Sequence, residues 1–271
     1  MNYNPYKSDY KKKGFFIINN FYTDDEVKKL KLLLKNYDSK KVTKTLRAGK
    51  IIRLENLYHT GIYKIIHKRE LINLFASLHN FKPILFKDKF IHKKKNKENS
   101  YGLHFDGLFK SYNYRLKRNT LGWYTYARKF FTMNVMLDDN NYDNGCLYVH
   151  NKLKGTPNEL YKKYINDIKP FFKNKKIENK SKPIIASKGS ILIFDNLCPH
   201  FSKNSTSKPR GNLYLTYSNS KNSEIYKIFN RDKKLLLENI GKKEYQKRTK
   251  IDSWNFTYLN FKKNLSDDFI Y

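Results

Sequence analysis

The chain has 271 residues, 39% hydrophobic and 16% aromatic, which supports a sizeable core and excludes a disordered segment. Its formal net charge of +32 will draw anions, yet the basic residues are mostly Lys and are spread along the chain beside abundant Asn, Ile and Tyr, a pattern of coding bias more than of a built polyanion groove. Two cysteines exclude a disulfide framework, the polar stretch Met1 to Lys13 excludes a secretory signal, and no apolar run nears the roughly 18 residues that span a bilayer. The expectation is a soluble, cytoplasmic protein with buried free thiols at Cys146 and Cys198.

In chain order, Gly14 to Ile18 reads as a short strand. Thr23 followed by Glu26 forms a capping-box signature, and Val27, Leu30, Leu32, Leu33 and Leu34 suit the amphipathic helix it starts. A second helix is expected around Lys68 to Leu78. From Ile84 the pattern changes to short β-rich runs: Ile84 to Ile91, Lys129 to Leu137, Cys146 to Val149, Ile184 to Ala186, Ile191 to Phe194 and Asn212 to Tyr217. Asn144-Gly145 and Lys188-Gly189 mark turns between them. Pro157 to Phe172 reads as a helix or a mobile insertion. Helices followed by many short strands predict a mainly β protein with flanking helices, a double-stranded β-helix of the jelly-roll, cupin-like type. The organisation is a single domain over 1–271: N-terminal helices in 23–80, a jelly-roll core in 84–217 and a tail in 218–271 that packs as helix plus coil.

The candidate chemistry sits in Leu103-His104-Phe105-Asp106-Gly107 and in Pro199-His200-Phe201-Ser202. Residues i and i+2 of an extended segment point the same way, so His104 and Asp106 can chelate together, and His200 can complete the set from a neighbouring strand. Two histidines and one carboxylate on one face of an ion leave the other face open, the arrangement of non-haem Fe(II) oxygenases. Arg210, at the start of the following strand, offers the planar fork that matches the far carboxylate of 2-oxoglutarate, and Ser202 can add a hydroxyl. His59, His67, His79, His92 and His150 lack a comparable partner pattern and are assigned to surface or packing roles.

These residues resemble the phytanoyl-CoA dioxygenase-like family of Fe(II)/2-oxoglutarate oxygenases over most of the chain. The likeness runs through Gly14 to Leu30, Leu85 to Phe90, the proximal motif at His104 and Asp106, Met136-Leu137-Asp138-Asp139, Asn144-Gly145-Cys146-Leu147, and the distal block from Phe194 to Tyr217. It implies iron at His104, Asp106 and His200, and 2-oxoglutarate at Arg210 and Ser202, with Thr132 and Asn134 lining the cosubstrate pocket. Two departures stand out. The stretch His150 to Gly155 replaces the Pro-Gly-Ser-His common in the family, and the interval from His200 to Arg210 is about one residue short.

The resemblance implies a dioxygenase that uses dioxygen and 2-oxoglutarate to hydroxylate an unactivated C–H of a small metabolite. Related halogenases carry a small residue where Asp106 stands, so the retained carboxylate points to hydroxylation. The distal block and Asp232-Lys233-Lys234 look most like the subgroup acting on aminoalkylphosphonates. Tyr101, Phe105, Trp123, Tyr124 and Tyr126 could face a quaternary ammonium. Two alternatives remain: an oxygenase acting on a polyanion such as nucleic acid, and a non-catalytic binding protein on the same fold.

Overall fold

The computed structural model describes residues 2–47, 50–165, 174–241, 244 and 251–255. Helix α1 (Asn4–Lys13) opens on Pro5 and closes on Gly14, whose φ of 84° suits the left-handed cap. Strand β1 (Phe15–Ile18) follows, then α2 (Asp24–Lys35), which starts on the expected capping box between Thr23 and Glu26. The chain continues through β2 (Thr43–Arg47), β3 (Ile51–Glu55), α3 (Tyr63–Ile66), α4 (Arg69–Leu78), β4 (Ile84–Lys93) and β5 (Tyr101–His104). A hairpin of β6 (Lys110–Asn113) and β7 (Arg118–Leu121) leads to β8 (Phe130–Met136) and β9 (Leu147–Val149). After α5 (Pro157–Leu160) and α6 (Lys175–Lys180) come β10 (Lys182–Pro183), β11 (Ile191–Asp195), β12 (His200–Ser202), β13 (Arg210–Ser218), α7 (Ile225–Ile240) and β14 (Ile251–Asn255).

Two sheets form the expected jelly roll. The larger has the order β1-β11-β8-β13-β4-β3-β2-β14 and the smaller β10-β9-β12-β5. Alternation along the strands assigns each face of the large sheet a different task. Phe131, Met133 and Val135 of β8, Ile191 and Ile193 of β11, and Leu213, Leu215 and Tyr217 of β13 join one core with Val27, Leu30 and Leu34 of α2 and Leu71, Leu74 and Phe75 of α4. The alternate residues look inward at the small sheet. Near β1 that inner layer is apolar, with Met136, Leu192 and Phe194 packed on Leu147 and Val149. Toward β13 and β4 it becomes polar.

Several elements differ from expectation. The stretch 23–80 holds the β2–β3 hairpin as well as helices, and these strands extend the large sheet beyond β4. Polar residues at their buried positions, Thr43, Thr45 and Glu55, hide the apolar alternation that marks a half-buried strand. The strand expected at Ile184 to Ala186 pairs instead at Lys182–Pro183. Ile184 keeps one backbone bond, to Leu147, and Ala186 an isolated two-bond bridge to Asn140. The insertion expected at 157–172 is helical through Ile165, and 166–172 lie outside the described residues. The tail contributes α7 and β14; 245–250 and 256–271 also lie outside the described residues.

Candidate metal and cosubstrate site

The small sheet brings the histidines together. His200 of β12 is the register partner of His104 of β5, and their rings lie 4.3 Å apart between centroids. Asp106 sits two residues past His104, just beyond the end of β5. Its turn is fixed by close backbone packing: Gly107 takes φ 76°, a Cβ there would meet the Trp123 ring at 2.6 Å, and Gly107 O accepts from Trp123 N at 3.0 Å. His200 Nε2 lies 3.9 Å from Asp106 Oδ2, and one ligand atom from each of His104, Asp106 and His200 falls within 4.8 Å of the others. Among the described residues this is the group of three that could hold a metal ion.

Hydrogen bonds choose which imidazole nitrogen is offered. His104 Nδ1 lies 2.8 Å from Gly102 O, and His200 Nδ1 lies 3.0 Å from Cys198 O. A carbonyl only accepts, so each Nδ1 carries the proton and each Nε2 lone pair is turned toward the centre. Burial, reinforced by the other imidazole, lowers His104 to about 3, and burial likewise lowers His200. Burial alone would raise Asp106, but Lys89 and the two histidines override it and hold the carboxyl well below its usual range. At neutral pH the trio is two neutral imidazoles and one carboxylate, the protonation state a divalent cation needs.

A pair of buried cations lies along β13 and β4 from this trio. Arg210 pairs with Lys93 in the β13–β4 register, and the two residues are 3% and 1% exposed. Arg210 Nη1 donates to Asn140 Oδ1 at 2.7 Å, while its Nε is buried without a partner. Lys93 Nζ donates to Ser202 Oγ at 3.0 Å and to the Lys203 carbonyl. Burial, then the charge of Arg210, pushes the Lys93 ammonium down to about 6. Among the described residues no carboxylate pairs with either cation. The orphaned guanidinium N–H of Arg210 calls for an anion, whose charge would also hold a proton on the neighbouring Lys93, and the far carboxylate of 2-oxoglutarate has the fork geometry for it.

The other sequence candidates fall into place with adjustments. Ser202 is buried and accepts from Lys93 Nζ, beside Arg210. Thr132 lies nearer the metal trio than the cosubstrate anchor: its hydroxyl is 3.5 Å from Asp106 Oδ2 and 3.0 Å from both Asn196 Oδ1 and Thr216 Oγ1. Asn134 faces inward beside Asn212, with their amides 3.2 Å apart. Most of the expected aromatic wall belongs to packing. Phe105 is core, Trp123 packs on Phe86 and Phe130, and Tyr126 donates to Asp232. Tyr124 lines an open cavity of about 560 Å³, shared with Arg118, Leu121, Arg128 and Pro157. Asp232 is engaged by Arg115, Asn113 and Tyr126, and Lys233 by Glu55, so this tail motif serves the fold. The five remaining histidines stay away from the trio; His67 meets Tyr217 Oη at 2.9 Å and His79 stacks on Phe131.

Sequence reasoning missed Lys93. The signal was present: Lys87, Lys89 and Lys93 share one parity of the strand with Ile91, which places these lysines on one face.

The phytanoyl-CoA dioxygenase family profile matches residues 10–212, which spans the metal trio and Arg210. The chain belongs to the phytanoyl-CoA dioxygenase family. The donor set of His104, Asp106 and His200 fits Fe(II), and the buried Arg210 with Lys93 fits 2-oxoglutarate. A search of curated proteins returns no match. Solved structures share the fold. The non-heme alpha ketoglutarate dependent epimerase SnoN from nogalamycin biosynthesis is 16% identical, with 80% of this chain and 83% of that chain covered and a TM-score of 0.58. HygX from Streptomyces hygroscopicus, with nickel, 2-oxoglutarate and hygromycin B bound, is 12% identical, with 82% and 89% covered and a TM-score of 0.56. A 2OG-Fe(II) oxygenase family oxidoreductase from Burkholderia pseudomallei is 14% identical, with 82% and 94% covered and a TM-score of 0.51. No described helix is long and apolar enough to cross a membrane.

Proposed function

We propose that this family member is a 2-oxoglutarate-dependent dioxygenase that hydroxylates an unactivated C–H bond of a small metabolite. The observation that carries it is the joint placement of two elements on the inner walls of one jelly roll. One is a metal-ready trio of His104, Asp106 and His200; the other is a buried Arg210–Lys93 pair that lacks an anion.

His104, Asp106 and His200 hold the iron in this reading. Arg210 grips the far carboxylate of 2-oxoglutarate in a two-donor fork, Lys93 adds a second cation, and Ser202 orients Lys93. Gly102 and Cys198 carbonyls keep both imidazoles in the ligating tautomer. Thr132 steadies Asp106. When bound, the iron and cosubstrate supply the oxidising chemistry. The polypeptide positions them and keeps the chamber dry, since Asp106, His200, Ser202 and Arg210 are all buried. Asp106 keeps the third protein ligand in place, which favours hydroxyl over halide transfer. An aminoalkylphosphonate is the first substrate to try on the sequence resemblance.

The test is an anaerobic titration with Fe(II) and 2-oxoglutarate, followed by the weak metal-to-ligand charge-transfer band, on wild type and His104→Ala. A band in wild type that disappears in the variant is the expected result. A folded, iron-supplied wild type without the band would sink the oxygenase reading.

A further inference from the structure

We infer that Lys89 and Lys87 form a second anion subsite, on the substrate side of the metal trio, which holds the acidic group of the primary substrate. This rests on the oxygenase reading above and gives it a substrate class: a small molecule bearing a carboxylate, phosphonate or phosphate.

Both lysines face inward from β4. Their side chains are only 15% and 13% exposed, unlike the solvated lysines that decorate the rest of the chain. Lys89 Nζ lies 4.0 Å from Asp106 Oδ1 and over the Tyr214 ring at 5.2 Å. Lys87 Nζ lies over the rings of Trp123 and Phe229, at 5.2 and 5.5 Å, and 3.4 Å from Glu55 Oε1. Lys87 shares its carboxylate with two other cations. Glu55 already receives Arg53 at 2.5 Å and Lys233 at 2.9 Å, so three cations meet one buried carboxylate. Asp106 is the carboxylate facing Lys89, and its charge is committed once it ligates a divalent cation. Lys89 is then a largely buried ammonium in need of a new partner, and such a charge is costly if left alone.

Register places the subsite. Lys93 pairs with Arg210, Lys89 with Tyr214 and Lys87 with Thr216, so the row steps steadily away from the cosubstrate anchor. At about 3.3 Å per residue, Lys89 is roughly 13 Å along the strand from Lys93, and Lys87 about 7 Å further. A cosubstrate whose far carboxylate is held at Arg210 reaches back to the metal and does not extend to Lys87. The anion that answers these two lysines is therefore a different molecule.

The experiment is a calorimetric titration of the anaerobic protein loaded with Fe(II) and 2-oxoglutarate. Three probes share one carbon chain: 2-aminoethylphosphonate, β-alanine and ethylamine. Saturable binding of the phosphonate or the carboxylate, with none of ethylamine, is expected, and the tighter of the two anions names the acidic group. Lys89→Met and Lys87→Met should each weaken that binding about tenfold or more, the scale of one charge-assisted hydrogen bond, while Lys87→Arg keeps it. The charge-transfer band is recorded for every variant and reports folding and metal loading separately. Loss of the band in wild type counts against the iron assignment. With the band intact, three results overturn the subsite: no anion binding, ethylamine binding as tightly as the anions, or unchanged anion affinity in both Met variants. A Lys89→Met variant that loses 2-oxoglutarate affinity while Lys87→Met changes nothing also overturns it, by assigning Lys89 to the cosubstrate.

Discussion

The two faces of β8 and β13 use alternate residues of the same strands for opposite purposes. Phe131, Met133, Leu213, Leu215 and Tyr217 point to the helices and join one continuous apolar core. Thr132, Asn134, Asn212, Tyr214 and Thr216 point inward, toward the metal trio and the cations of β4. The helix face is mostly apolar, with His67 and His79 set against Tyr217 and Phe131, and its burial stabilises. The inner face gathers Lys87, Lys89, Lys93 and Arg210 with little compensating charge, which destabilises until ligands arrive. A sheet can therefore be a scaffold on one side and a strained receptor on the other, with one-residue alternation as the divider.

The sharpest way to break this contrast is to remove a metal ligand. Asp106→Ala and His200→Ala should each lower 2-oxoglutarate turnover by more than about 100-fold, with circular dichroism unchanged. An active Asp106→Ala would detach the inner face from the chemistry. Leu215→Ala, one residue away from the inward Tyr214, should do the reverse. It should cost about 2–5 kcal/mol in denaturant unfolding and leave the turnover of folded molecules near wild type. Lys93→Met tests the strain itself. The variant should weaken 2-oxoglutarate about tenfold and raise the unfolding free energy of the ligand-free protein by about 1 kcal/mol. Lower stability would show that Lys93 supports the fold.

A gentler test uses protons on the helix face. Burial lowers His67 to about 3 and, with a smaller push from Lys129, His79 to about 4, against an ordinary value near 6.5. Between those limits the unfolded chain binds more protons than the folded one, so stability rises with pH across the window. It should be fully present above about 6.5 and fall as the pH drops toward 4. His79→Phe should flatten part of that slope in unfolding curves taken from pH 4 to 7. An unchanged slope would mean that His79 is not held neutral by burial.

Much of this was legible in the sequence, for identifiable reasons. The capping box at Thr23 and Glu26 is a local rule that needs no tertiary context. The runs at β8, β11 and β13 are strongly β-branched and aromatic, so their strands were visible although their ends moved by one or two residues. His104, Asp106 and His200 carry a spacing whose meaning comes from metal chemistry, and the structure brings them within reach of one ion. The β2–β3 hairpin was hidden because it lies between helices and buries polar residues, Thr43, Thr45 and Glu55, where a core strand usually shows apolar ones. Lys93 was hidden because a lysine is read as surface unless the parity of its strand is known. The expected roles of Phe105, Trp123 and Tyr126 failed for a related reason: composition cannot tell a ring that faces a ligand from one that fills a core.

The pairing of His104 with His200 across β5 and β12 has one more consequence. These strands are short, three and four residues, and few backbone bonds join them. An ion held by both side chains acts as a rivet between them, so occupancy and local opening are thermodynamically linked. At a metal concentration 100 times its dissociation constant, that linkage protects the folded form by about 2.7 kcal/mol. Amide hydrogen exchange in β5 and β12 should then slow on loading, while the β8–β13 ladder, held from the helix side, exchanges at its own pace. The small sheet becomes a gauge of how full the metal site is.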